Sequence, residues 1–364
     1  MNSRQESQPF SYSMKKIARA IEVTRDYFIE NNTPWIVGYS GGKDSSLVMK
    51  ILLTALSNLP AKKRKPLWVF YCDTGVEIPV LSSYIKKSLS DIQKEGKELG
   101  IDIVSKAIKP SISNHYFVKV IGRGYPPPTN KFRWCTDKLR IDPIQAAIKN
   151  TAGSSSSIVV LGTRYDESEE RNRILERHAT DKKHVFRQSG HNHTSIFCPI
   201  SEFSTDEVWL GLVELNNIKS ININRLSNIY KLISGECPIV RLPDTNPCSK
   251  GRFGCWTCTV VRQDRATKNL IDNGFTDLQP LYDFRQWLLD IRDNTNYRCT
   301  IRRNGVKGLG PFRLHARKDI LQRLLETERR SGYKLIRRDE ISEISRLWQL
   351  DEDSDRYKED YENH

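Results

Sequence analysis

No apolar stretch in the 364 residues approaches the ~20 needed to span a bilayer, and Met1 to Pro9 is too polar for a secretory leader. Both absences point to a cytosolic protein with no membrane partner. Disulfides are rare in a reducing compartment, so the eight cysteines read as metal ligands or reactive thiols. Acidic residues are also in short supply, 44 against 58 basic ones, which leaves a net charge of +14. That imbalance favours a polyanionic partner, nucleic acid ahead of an anionic membrane. The common P-loop is missing too. It requires a glycine five positions before the Gly of its Gly-Lys pair and Ser or Thr directly after the lysine, and Val37 and Asp44 occupy those places around Gly42-Lys43.

What stands there instead is Ser40-Gly41-Gly42-Lys43-Asp44-Ser45, directly after the apolar run Trp35-Ile36-Val37 and Gly38-Tyr39. A buried strand that empties into paired glycines at a helix start collects backbone N–H groups around one point, which suits a phosphate. Gly41 and Gly42 let the backbone approach a pyrophosphate, Ser40 and Ser45 can donate to it, and Lys43 and Asp44 suit phosphate and Mg2+ charge respectively. Strands and helices alternate around this loop. Helical spacing over Met14 to Glu30 precedes it, Ser45 to Leu56 is helical, Leu67 to Tyr71 is a strand, Pro79 to Leu99 is helical, Ile101 to Ala107 is a strand, Ile141 to Lys149 is helical and Ser157 to Leu161 is a strand. This order predicts an α/β fold with a mostly parallel, doubly wound sheet. Ligands of such sheets gather at the carboxyl ends of the strands, where Asp73 and Gly162-Thr163-Arg164 also fall. A plain turn residue is the alternative for Asp73, which stands before Thr74-Gly75.

Cys237, Cys248, Cys255 and Cys258, separated by ten, six and two intervening residues, predict a metal centre. Zinc and an iron–sulfur cluster both accept four thiolates, so spacing leaves the two open. Cys135 lies apart, in Arg133-Trp134-Cys135-Thr136-Asp137-Lys138-Leu139-Arg140, where the basic neighbours are expected to lower its pKa and make it a sulfur carrier; a small buried residue is the alternative. His191 and His193 read as a solvated loop. From Ile271 onward helical spacing takes over, in Ile320 to Glu328 and Glu340 to Leu350, and Asp351 to His364 holds seven acids and two bases, as a tail would. The expected units are therefore an N-terminal helix (1–32), a nucleotide-binding domain (33–235), a cysteine cluster (236–270), a helical region (271–350) and an acidic tail (351–364).

The loop Ser40 to Ser45 resembles the PP-loop of the N-type ATP pyrophosphatases. Gly162-Thr163-Arg164 with Glu167-Ser168 and Arg171, and Pro199-Ile200 with Asp206-Glu207-Val208-Trp209, are similar to the phosphoadenosine phosphosulfate reductase family. Arg133-Trp134-Cys135-Thr136 and Arg252-Phe253-Gly254-Cys255-Trp256-Thr257-Cys258 resemble, within it, the DndC family of DNA phosphorothioation sulfurtransferases, with the single-strand SspD family close by. The resemblance implies ATP and Mg2+ held by Ser40, Gly41, Gly42, Lys43, Asp44, Ser45, Asp73, Gly162 and Arg164. It implies a 4Fe-4S cluster on Cys237, Cys248, Cys255 and Cys258, with Asp44, Lys43, Cys135 and Arg164 in catalysis. The implied partners are DNA, a cysteine desulfurase as sulfur donor and other phosphorothioation proteins. The implied reaction adenylylates a DNA backbone phosphate and replaces a non-bridging oxygen by sulfur. A sulfate-activating reductase is expected to end in a redox-active cysteine, and Asp351 to His364 contains none. That oxidoreductase and a zinc-containing nucleic-acid-binding module are the alternatives.

Overall fold

The protein is described by a computed structural model that covers residues 7–153, 155–188, 194–234 and 253–352. Cys237, Cys248, the His191/His193 loop and all but the first two residues of the acidic tail lie outside the described residues. Six strands, β1 (Trp35–Gly38), β2 (Leu67–Cys72), β3 (Ile103–Ile108), β4 (Ser157–Val160), β5 (Val185–Arg187) and β6 (Thr194–Phe197), form one sheet in the order β3-β2-β1-β4-β6-β5. All pairs are parallel except β5 with β6. The α/β, mostly parallel architecture expected from the alternation is the one observed.

Trp35, Ile36 and Val37 of the central strand are buried, because a parallel strand with crossovers on both sides meets protein on both faces. Alternate side chains part: Ile36, Phe70 and Val159 pack with Ile148, while Trp35, Val37, Val69 and Val160 enter the larger core opposite. The helices around the sheet are α1 (Ser7–Glu30), α2 (Lys43–Ser57), α3 (Pro79–Glu98), α4 (Asp142–Ala152), α5 (Glu169–His178), α6 (Thr205–Glu214) and α7 (Ile223–Ser234). The sequence pattern located α2 to α4 and β1 to β4 to within a few residues and α1 apart from its first two turns; β5, β6 and the helices α5 to α7 were not read from periodicity.

Lys50 of α2 is fully buried and donates to the carbonyls of Leu215 and Ile218, both at 2.8 Å, tying the phosphate-loop helix to the turn after α6. Burial lowers its pKa to about 8 against the opposing pull of Glu95. The folded state therefore gives up a proton that the unfolded chain keeps, so this lysine makes stability rise between about pH 8 and the ordinary lysine range. Lys50→Met is expected to abolish that rise and to lower stability at neutral pH, because two buried carbonyls lose their donor. Urea titrations at a series of pH values check both effects; an unaltered pH profile contradicts the assignment.

The C-terminal helices are α8 (Arg265–Asp272), α9 (Gln279–Ile291), α10 (Leu314–Ser331) and α11 (Arg338–Glu352). The chain after Ile271 is helical, as expected, and its Leu281, Phe284, Ile320 and Ile344 belong to the same buried cluster as Val37 and Val69 of the sheet. Trp348 Nε1 donates to the Ile121 carbonyl at 2.8 Å. Between α9 and α10 the chain doubles back through two antiparallel bridges, Arg298 with Phe312 and Ile301 with Lys307.

Candidate active site

At the turn between β1 and α2, Gly41 has φ +75°, and a Cβ there would lie 2.5 Å from Ile85 Cγ1, so the conformation and the space both require glycine. Ser40 and Ser45 close the turn across its mouth with their hydroxyls 3.1 Å apart, while the Ser45 hydroxyl donates to the Gly42 carbonyl at 3.1 Å. Two amides of the cradle are already engaged. The Gly42 N–H reaches Ser40 Oγ at 3.4 Å, and the Lys43 N–H donates to the Tyr230 hydroxyl of α7 at 3.0 Å. Gly162 comes so close behind the loop that a Cβ would sit 2.8 Å from the Asp44 carbonyl carbon and 2.9 Å from the Ser45 nitrogen. Only backbone is there to yield, so any side chain at 162 displaces the turn.

Asp44 is gripped from two sides. Arg164 Nε donates to Oδ1 at 2.6 Å and Lys43 Nζ to Oδ2 at 2.8 Å. Arg164 is itself buried, and its Nη1 donates to the Phe203 carbonyl at 2.8 Å and its Nη2 to Thr205 Oγ1 at 3.3 Å. Those partners sit at the start of α6, which Ser204 and Glu207 cap reciprocally. Arg164, expected beside phosphate, also meets Asp166 at 3.3 Å, so its guanidinium ties the Asp44 carboxylate to the entry of α6. Asp73 departs from expectation. It accepts from the Gly75 N–H at 3.2 Å in its own turn, faces Lys86 and Lys109 at 3.5 and 3.9 Å, and does not line the cavity described next.

That cavity, of about 370 Å³, opens at the carboxyl ends of β1, β2 and β4. Ile36, Phe70, Ile148 and Val159 form an apolar slot, Ser40, Asp44, Ser45 and Gly162 one wall, and Cys72, Glu77, Arg140 and Gly254 the far end. The far end exists because residues 76–78 pair with the cysteine segment: the Trp256 N–H donates to the Val76 carbonyl at 3.0 Å and Glu77 bridges Cys255. Cys255 Sγ thereby lies 3.6 Å from Arg140 Nη2 and 3.7 Å from Thr74 Oγ1. Burial pushes its thiol up to about 11 against the opposing pull of Arg140. Glu77 accepts from the Thr74 N–H at 2.9 Å and the Thr74 hydroxyl at 2.5 Å, and burial raises its carboxyl above the usual range.

Cys255 and Cys258 share one turn, the Cys258 N–H donating to the Cys255 carbonyl at 3.1 Å. With Cys237 and Cys248 outside the described residues, no three His, Cys, Asp or Glu side chains among the described residues group as a metal site. The structure also brings Cys135 to this turn. Its thiol is raised, by burial first and then by the charge of Cys258, and the opposing pull of Arg140 and Arg133 does not overcome them. The expected lowering thus fails because desolvation outweighs the basic neighbours, one of which, Lys138, is paired with Asp142 at 2.8 Å. Cys72, pushed up to about 12 by burial, donates to the Leu139 carbonyl at 3.1 Å.

Residues 34–261 match the phosphoadenosine phosphosulfate reductase domain. The chain belongs to this reductase-domain family. An uncharacterized protein of Methanocaldococcus jannaschii is 24% identical over 194 residues, which are 53% of this chain and 34% of the relative, so the chain spans about a third of that relative's length. Among solved structures, the U34-tRNA thiolase NcsA from Methanococcus maripaludis with its 4Fe-4S cluster is similar at TM-score 0.38 and 17% identity, over 77% of this chain and 80% of that one. The phosphoadenylyl-sulfate reductase of Candida auris in its phosphate complex is similar at TM-score 0.32 and 12% identity, over 54% and 79%. Within the reductase domain, the sequence pointed to Ser40, Asp44, Ser45 and Gly162, which the fold brings to one wall. It missed Glu77, Tyr230 and the proximity of Cys135 to Cys258, all products of long-range packing; only Glu77, just past a strand end, stood where a ligand-facing residue is expected. No helix among the described residues is long and apolar enough to cross a membrane.

Proposed function

We propose that the protein is an ATP-dependent sulfurtransferase that adenylylates a DNA backbone phosphate and replaces one non-bridging oxygen with sulfur delivered by a cysteine desulfurase. The observation that carries this reading is a single cavity bounded by the glycine loop at one wall and, at the other, by Phe253 and Gly254, the residues directly before Cys255. Nucleotide cleavage and thiol chemistry then share one space, in a chain of net charge +14 suited to a polyanion.

A phosphodiester oxygen leaves poorly and must be activated before sulfur displaces it. The DNA oxygen attacks the α-phosphorus of ATP, the bond to the β-phosphate breaks, and pyrophosphate departs; a thiol reductant, itself oxidised to a disulfide, takes the desulfurase's persulfide sulfur to sulfide, which then attacks the DNA phosphorus as AMP leaves with the displaced oxygen. The apolar slot beside Ile36 and Phe70 takes the base, and the glycine turn admits the phosphates at backbone distance. Asp44, aimed by Arg164, is the carboxylate of the loop that would hold Mg2+, and Lys43 is placed to transfer its charge from Asp44 to a phosphate oxygen. Cys255 and Cys258 are the described thiols of the tetrad that would hold an iron–sulfur cluster, and Arg140 offsets thiolate charge there. The cluster would supply thiolate-ligated iron at the far end of the cavity. Incubation with ATP, Mg2+ and DNA is expected to yield AMP and pyrophosphate, and digestion of the DNA to yield a nucleotide heavier by the oxygen-to-sulfur difference once desulfurase, cysteine and a thiol reductant are added. Release of ADP and phosphate instead would refute the reading.

A further inference from the structure

The doubled-back segment between α9 and α10 projects from the body: Ile301 to Lys307 are all exposed, including the apolar side chains of Ile301 and Val306. Its tip is a tight turn. The Arg302 N–H donates to the Val306 carbonyl and the Gly305 N–H to the Arg302 carbonyl, both at 2.9 Å, with Gly305 at φ +81°. Its base is fixed on the turn after Ile121, where the Phe312 N–H donates to the Gly124 carbonyl at 2.7 Å. Arg303 reaches back to donate to the Arg123 carbonyl and places its guanidinium 4.7 Å from the Tyr125 ring centroid. Tyr125 in turn stacks on Phe132 with centroids 6.4 Å apart and planes at 17°. Phe132 is 45% exposed and stands three residues before Cys135.

The charge of this surface is one-sided. Residues 119–135 and 298–313 carry nine basic residues and no acidic one between them. Scattered exposed hydrophobics are ordinary on protein surfaces. An exposed aromatic ring, stacked on a second ring that a guanidinium covers, flanked in sequence by Lys131 and Arg133 and held next to the turn that anchors the hairpin of Arg302 and Lys307, is instead the pattern of a base-stacking platform beside a phosphate track.

We infer that this hairpin and the Tyr125–Phe132 pair form the grip on the substrate strand: Phe132 stacks on an unpaired base while Arg302, Lys307 and Arg133 hold the neighbouring backbone phosphates. The inference rests on the reading above that the substrate is DNA. A single strand, or a duplex with one base swung out, fits this geometry, since a paired base offers no free face to Phe132.

The test is fluorescence anisotropy of a fluorescein-labelled, mixed-sequence single strand and of the matching blunt duplex, titrated with the full-length protein over a range of salt. Arg302→Gln with Lys307→Gln is expected to reduce the slope of log affinity against log salt on the single strand by about 1.4. Phe132→Ala is expected to weaken single-strand binding by roughly 5- to 150-fold, with the salt slope and the duplex affinity unchanged. Variants that match the wild type in affinity and slope overturn the hairpin grip and leave DNA as the substrate. A wild-type protein that binds neither strand overturns both the grip and the substrate reading, while pyrophosphate release from ATP separately reports whether the nucleotide site works.

Discussion

Asp44→Asn is expected to cut pyrophosphate release by about 10²- to 10³-fold while the chain still folds. The carboxylate takes Arg164 Nε on one oxygen at 2.6 Å and Lys43 Nζ on the other at 2.8 Å. Asparagine keeps one acceptor for Arg164 but removes the negative charge, so no anion remains on the loop to meet Mg2+ and nothing holds Lys43 beside the phosphates. Arg164 is 2% exposed and loses its nearest counter-charge, yet Asp166 stays 3.3 Å from Nη1 and the Phe203 carbonyl remains bound. The stability loss is therefore expected to fall below the ~3–5 kcal/mol of a fully orphaned buried charge. Enzyme-coupled pyrophosphate detection measures the first effect and thermal denaturation the second. Turnover within a few-fold of wild type would remove Asp44 from the site, and a chain that fails to fold would assign it to the scaffold.

Arg285→Met is expected to loosen the cysteine turn from outside. Arg285 lies fully buried on α9, and its guanidinium donates to the carbonyls of Cys258 at 3.0 Å, Arg262 at 2.9 Å and Val261. None of the described carboxylates pairs with it, so a whole buried cation is spent on organising one loop and sits where thiolate charge would accumulate. Methionine fills much of the volume but leaves three carbonyls without a donor, each costing about 1–3 kcal/mol where water cannot reach it. A drop of several degrees in melting temperature is expected, together with faster alkylation of Cys255 and Cys258 than of Cys198, which α9 does not touch. Equal alkylation rates in variant and wild type would show that the turn holds itself.

The glycine loop was legible because its chemistry is local. Six consecutive residues after an apolar run state that a strand ends, that the backbone turns through a conformation open to glycine, and that hydroxyl and charged groups follow at a helix start. The strand and helix alternation up to β4 was legible for a similar reason, since burial on both faces of a parallel strand leaves short apolar runs that no surface segment tolerates. Reading failed where a residue's role depends on what packs against it. Arg133 and Arg140 were expected to dominate the Cys135 thiol, but a burial they could not announce pushes it the other way. Nor could the sequence announce that Arg164 reaches Asp44, Phe203 and Thr205, from segments up to 120 residues away.

From its residues alone, then, this chain declared a parallel α/β sheet, a phosphate-binding turn, a thiol-rich segment and a basic surface, because each is written in neighbours along the backbone. Tertiary structure decided that the turn and the residues just before Cys255 line one cavity, that Cys135 approaches Cys258, and that a basic hairpin packs on Tyr125, which stacks on Phe132. Those relations join segments more than a hundred residues apart, and only the closing of the sheet and the shared core brings such segments within reach of one another.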